Sequence, residues 1–184
     1  MKQLLLFILF LNLFSVSDAQ KYMTKNGYIG FFSHTPIEDI KADNNQVASV
    51  LDIASGEIVF QVLIKSFHFE RALMEQHFNE SFLESDKIPR STFRGKIVNL
   101  SGMDLTKNDK YDVTVEGDLN IHDITKKISV PGTVEVVPGG INANAKFNIS
   151  PEDYNIKIPS VVRENIAKII EVTVAIRYMP LDNK

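Results

Sequence analysis

The stretch Lys110–Asp123, KYDVTVEGDLNIHD, alternates almost without a break. Tyr111, Val113, Val115, Gly117, Leu119 and Ile121 fall on one side, and Asp112, Thr114, Glu116, Asp118 and Asn120 on the other. Successive side chains of a strand point to opposite faces, so a period of two specifies a strand with one dry and one wet face. The dry face must cover a solid core, a bilayer or a cargo.

The pattern recurs along the chain. Tyr28–Ser33 opens it. Asn45–Asp52 follows, expected to pair with the chain near Glu38–Ala42. Glu57–Lys65 puts Ile58, Phe60, Val62 and Ile64 on one face, and Thr92–Leu100 does the same with Phe93, Gly95 and Ile97. Lys127–Val137, Ile141–Ile149 and Lys168–Tyr178 complete the series. Turn formers separate the runs at Ser55-Gly56, Asn108-Asp109 and Pro138-Gly139-Gly140. About eight antiparallel strands with short connections predict an all-β fold, a closed barrel or a sandwich. Phe69–Glu84 departs from the pattern: Phe69, Leu73, Met74, His77 and Phe78 recur at helical spacing, and Pro89 ends that reading. A short helical insert is expected there, with further helical turns at Pro151–Tyr154 and near Val161–Asn165.

The N-terminus reads as a leader. Met1-Lys2 is basic, Leu4–Phe14 (LLLFILFLNLF) is almost wholly apolar, and Ser17-Asp18-Ala19 offers small residues to a signal peptidase. The apolar run is shorter than the about 20 residues a membrane span needs. A cleaved signal over residues 1–19 would leave residues 20–184 as one exported domain, periplasmic or secreted. Cysteine is absent, so neither a disulfide framework nor a lipoprotein attachment site is expected. The net charge is −3 with the cations dispersed, and no basic block points to nucleic acid or to an anionic membrane surface.

The bilayer is the weakest of the three readings of the dry face. A membrane barrel turns its apolar side outward. Here the polar faces carry Arg94, Lys96, Glu116 and Lys146 in mid-strand. No stable membrane insertion is expected. Alternation alone leaves solid core and cavity open, since barrels of about eight strands do either. Gly95, Gly117, Ala143 and Ala145 would leave lumen space unless opposing side chains fill it, and the insert could cap one end of a tube.

Several stretches in order carry a resemblance: FSHTPIEDI (Phe32–Ile40), KSFHF (Lys65–Phe69), LMEQHFNE (Leu73–Glu80), LESDKIP (Leu83–Pro89), Phe93-Arg94-Gly95, GDLNIHDITK (Gly117–Lys126) and DYNI (Asp153–Ile156). Together they resemble the YceI-like family of exported lipid-binding proteins. The resemblance implies an extended, lipocalin-like antiparallel barrel with a helical insert, holding a long isoprenoid or similar amphiphile in an apolar tunnel. One departure stands out: Asp123 follows His122 where the family usually has Gly in the turn.

For a tunnel, each buried methylene of a tail contributes about 0.8 kcal/mol, so no specific polar contact is required. The lining candidates are Ile29, Phe31, Phe60, Val62, Ile64, Phe93, Val115, Leu119, Phe147, Val172 and Val174. Phe67, Phe69, Met74 and Phe78 are candidates for the mouth or cap, and Tyr154 for a hydroxyl near the mouth. Ordinary core packing is the rival reading for each. His34, His68, His77 and His122 show no HxH or HExxH spacing, so no metal is expected. No cofactor is implied either. Catalysis is not expected: the chain has no cysteine nucleophile, no G-x-S-x-G elbow and no phosphate-cradling glycine loop. The function expected is a lipid carrier, sequesterer or sensor, as monomer or homodimer. The alternative is a ligand-free envelope stress or interaction protein whose barrel is filled by its own side chains.

Overall fold

The computed structural model describes residues 21–100, 104 and 106–181; the leader expected over residues 1–19 lies outside them. The long strands are β1 (Lys21–His34), β2 (Asp39–Asp52), β3 (Glu57–Leu63), β5 (Arg90–Ile97), β6 (Lys110–Ile121), β7 (Ile124–Val137), β8 (Gly140–Ile149) and β9 (Ile170–Pro180). A two-residue strand, β4 (His68–Phe69), lies between β3 and β5. Antiparallel pairing runs β1-β9-β8-β7-β6-β5-β3-β2, and β2 returns to β1, which closes the barrel. The alternation leaves a barrel and a sandwich open, and the pairing of β2 with β1 makes it the closed eight-stranded barrel that the family resemblance implies, with the helical insert expected from residues 69–84.

The alternation sorts as read. Along β6, Val113 and Leu119 are buried while Asp112, Glu116 and Asp118 are exposed. The outer wall is charged in mid-strand, as where Lys146 pairs with Glu171 at 2.8 Å. On a lipid-facing wall a cation at mid-strand would cost about 2–4 kcal/mol.

One strand differs from its reading. The stretches Glu38–Ala42 and Asn45–Asp52 do not pair with each other; from Asp39 onward they form the single strand β2, which pairs with β1 from Lys21↔Asp52 to His34↔Asp39. Asp43 and Asn44 look like turn residues, but long-range bonds hold them in the strand. Asp43 accepts the Tyr28 hydroxyl at 2.5 Å. Fully buried Asn44 donates to the Leu63 carbonyl at 3.0 Å, across the seam where the upper part of β2 leaves β3 and pairs instead with β4.

A second seam has a cause in sequence. The β7–β8 ladder runs from Val137↔Gly140 to Gly132↔Ala145 and stops at Pro131. Thr114, opposite Pro131 on β6, accepts from the Val98 N–H and donates its own N–H to Asn99 on the other side. The polar backbone of Pro131 therefore faces β8, where it has no N–H to give.

The insert is more varied than its helical spacing suggested. A 3-10 turn (Ile64–Ser66) follows β3, Phe69 lies in β4, and helix α1 (Ala72–His77) runs on into a π-helical turn, Phe78–Phe82. The turns at Pro151–Tyr154 and Ser160–Asn165 are 3-10 helical, as expected. The insert, the β1–β2 and β6–β7 turns and the segment between β8 and β9 all gather at one end of the barrel, here called the upper end.

Candidate functional site

The two halves of the barrel differ. Toward the lower end, Tyr178, Leu51, Ile141 and Val47 are completely buried and pack into a solid floor. Ser49 makes a polar join within it: Ser49 Oγ lies 2.6 Å from the Tyr178 hydroxyl and donates to the Val59 carbonyl at 2.8 Å. Burial pushes the Tyr178 hydroxyl well above the usual phenol range, so it stays protonated.

Above this floor the barrel is hollow. A cavity of about 480 Å³ rises from Leu51, Ile58 and Val134 to the insert. That lies within the range of small-molecule sites, about 300–1,000 Å³. Every long strand contributes to its wall, and nearly all of the lining is aliphatic or aromatic.

All of the predicted lining and cap residues except Tyr154 meet in this one space. Ile29, Phe31, Phe60, Val62, Ile64, Phe93, Val115, Leu119, Phe147, Val172 and Val174 face it from the strands and the 3-10 turn, and Phe67, Phe69, Met74 and Phe78 face it from the insert. Tyr154 does not reach it. Its side chain is buried in the core, 2% exposed, and its carbonyl meets His122 Nδ1 at 3.3 Å, so it fastens the 3-10 turn to the β6–β7 hairpin.

The small inward residues act differently from one another. Ala143 and Ala145 line the cavity. Gly95 and Gly117 face each other across β5 and β6, and the Phe93 ring lies over both. A Cβ added at Gly117 would come within 2.6 Å of Phe93 Cζ and 2.5 Å of the Gly95 Cα. The space expected at the glycine pair is therefore occupied by Phe93, and only the alanine pair opens onto the lumen.

The cap is an aromatic cluster. Phe78 packs on Phe31, Phe67 and Phe69 at ring-centroid distances of 5.5, 5.6 and 5.0 Å. Such pairs add about 0.5–1.5 kcal/mol each beyond area burial. The cluster covers the upper end of the cavity with side chains rather than with sheet.

Polar residues at the rim hold the cap in place. Arg71, at the start of the insert, forms an ion pair with Glu38 of the β1–β2 turn. Asn165 donates to the same carboxylate at 3.1 Å, and Ser33 accepts from the Ala167 N–H at 2.9 Å. Glu38, Arg71 and Asn165 all line the cavity. The sequence reading missed this group. Each residue is ordinary in its own stretch, and only closure of the barrel brings the three segments together.

The histidines are dispersed. His34 lies 2.5 Å from Asp39, His68 lies 3.6 Å from Glu75, and His77 faces the cavity from α1. No cluster of three metal-ligating side chains occurs among the described residues. Arg94 is exposed on the outer wall, and Arg163 donates to the Ile158 carbonyl at 3.0 Å.

A family model described as YceI-like domain matches residues 19–178. No curated protein matches the chain. Among solved structures, a polyisoprenoid-binding domain from Saccharophagus degradans, implicated in plant cell wall breakdown, superimposes with a TM-score of 0.75 at 13% identity, covering 89% of this chain and 99% of that one. BcnA from Burkholderia cenocepacia gives 0.66 at 16% identity over 81% and 94% of the two chains. A YCEI protein from Campylobacter jejuni gives 0.56 at 17% over 82% and 90%. At these identities the likeness is one of fold.

Proposed function

This chain belongs to the YceI-like family, and from that premise we propose that it is an exported binding protein that holds an isoprenoid or similar amphiphilic lipid, tail down, in the upper hollow of its barrel. The observation that carries the reading is the cavity itself: lined mainly by aliphatic and aromatic side chains, floored by packed side chains, and covered above by the phenylalanine cluster of the insert, with a few polar groups at its rim. A tail entering it sheds water at about 0.8 kcal/mol per methylene. Glu38, Arg71 and Asn165 stand where the tail would end and a polar head begin. The S. degradans domain that binds polyisoprenoid has the same fold, which makes such a tail a natural first candidate. Export is supported by the layout of residues 1–19. Carriage, sequestration and sensing share this one binding step. The rival reading, a filled barrel, needs side chains where the cavity lies.

The test is an organic extract of protein purified from its own host, analysed by mass spectrometry. The expected result is an isoprenoid or fatty amphiphile in near-stoichiometric amount. Protein stripped of it should regain thermal stability on addition of a prenol, by about 2.7 kcal/mol at a hundredfold excess over Kd. An extract without lipid, together with a melting temperature indifferent to added prenol, would overturn the proposal.

A further inference from the structure

The charges that border the cavity cancel. Among the described residues of its lining, Glu38 is the one acid and Arg71 the one arginine or lysine, and they form an ion pair with each other. The Glu38 side chain is 20% exposed and that of Arg71 58%. Asn165 donates to the other oxygen of the same carboxylate at 3.1 Å. The carboxylate is thus satisfied on both oxygens, and the guanidinium already has its counter-charge. His77, the remaining titratable side chain of the lining, is exposed on α1 and stands between Glu75 and Glu80 in sequence.

The surroundings supply no surplus of cations. Residues 150–169 hold Lys157, Arg163 and Lys168 against Glu152, Asp153 and Glu164. Residues 64–89, the insert and its flanks, hold Lys65, Arg71 and Lys87 against Glu70, Glu75, Glu80, Glu84 and Asp86. A phosphate arriving at this end meets a field of its own sign. To take Arg71 it must also displace Glu38, and so leave a largely buried carboxylate without its cation.

Ser33 offers the opposite kind of contact. It is 1% exposed and lines the cavity. Its Oγ accepts from the N–H of Ala167, two residues beyond Asn165, and the hydroxyl makes no other hydrogen bond among the described residues. A hydroxyl has one proton to give, and that of Ser33 is left for the lumen.

We infer that the cavity selects a lipid whose head is uncharged and carries an acceptor oxygen, a hydroxyl or a carbonyl, over one with a phosphate head. Ser33 donates to that oxygen, and the closed Glu38–Arg71 pair turns the phosphate away. The inference deepens the lipid-binding reading and rests on it.

The test is displacement of a fluorescent prenol by a prenyl alcohol, its monophosphate and the headless hydrocarbon, all of one chain length and each below its micelle concentration. The wild type should bind the alcohol at least about tenfold tighter than the monophosphate. E38Q frees the charge of Arg71 and should narrow that ratio by about tenfold, whereas R71Q should not narrow it. The change in E38Q separates rejection by Glu38 from the greater solubility of the phosphate in water. S33A should narrow the gap between alcohol and hydrocarbon by about fivefold, the worth of one hydrogen bond. Melting temperatures check that each variant is folded, and the wild-type comparison decides without any variant. A wild type that binds the monophosphate as tightly as the alcohol would overturn the selection, as would a folded E38Q with an unchanged ratio. A wild type that binds no fluorescent prenol at all would bring down the lipid-binding reading, and the selection with it.

Discussion

Asp123 and His122 sit at positive φ, 60° and 50°, in a two-residue hairpin between β6 and β7. Left-handed conformation at both central positions is the primed turn that suits the twist of paired strands, and it favours glycine. Asp123 holds this left-handed conformation at a cost that glycine does not carry. Replacing Asp123 with Gly should therefore stabilise the protein by up to about 1 kcal/mol, read as a higher urea midpoint at unchanged slope. The tyrosines make a second residue-scale prediction. The Tyr28 hydroxyl, bonded to Asp43 and partly desolvated, is raised to about 12, and burial raises Tyr178 and Tyr154 as well. In the unfolded chain these phenols lose their protons near pH 10. Above that pH the unfolded state binds fewer protons than the folded one, so stability is fully present below about pH 10 and falls as pH rises toward 12. Thermal melts from pH 9 to 12 should show that fall, and Tyr28→Phe and Tyr178→Phe should each flatten it; parallel pH curves for variants and wild type would refute the cause.

At the scale of elements, the β5–β6 pair depends on two glycines and one ring. Gly95 and Gly117 leave no room for a Cβ because Phe93 and the facing backbone already fill the place. Gly117→Ala should thus cost about 1–3 kcal/mol by overpacking, measured by chemical denaturation. A neutral result would mean that the ring moves freely off the pair. The sequence shows that Gly117 faces inward, because period two is a local property. It does not show what stands opposite, since Phe93 reaches Gly117 only through pairing across the sheet. The same limit explains β2. Asp43 and Asn44 read as a turn because their local preference is for turns. The Tyr28 hydroxyl and the Leu63 carbonyl, each far off in sequence, keep them extended. In the insert, helical spacing located the right residues, yet Phe69 takes strand geometry because β2 offers it a partner at Ala42.

At the scale of the molecule, alternation leaves barrel and sandwich open and cannot tell a filled lumen from a hollow one, because all of these bury the same faces. The difference lies in the sum of side-chain volumes around the ring, which is large at the lower end, where Tyr22 and Tyr178 meet Leu51 and Ile141, and small where Ala143 and Ala145 face the lumen. Tyr154 illustrates the same limit: its segment was located correctly, but the turn that carries it buries its ring away from the cavity. Ala143 supplies the decisive substitution. It faces inward between Val134 of β7 and Ile176 of β9 and borders the cavity. Ala143→Phe adds a ring to that space. In a hollow barrel the ring enters the lumen, the protein keeps its stability to within about 1 kcal/mol, and prenol uptake falls because the tail's place is taken. In a barrel that collapses onto itself in solution, the same ring meets packed side chains, and the urea midpoint drops by an amount matching about 1–3 kcal/mol. Uptake and denaturation measured on one preparation separate the two, since only a lumen that is empty without cargo can lose its ligand and keep its fold.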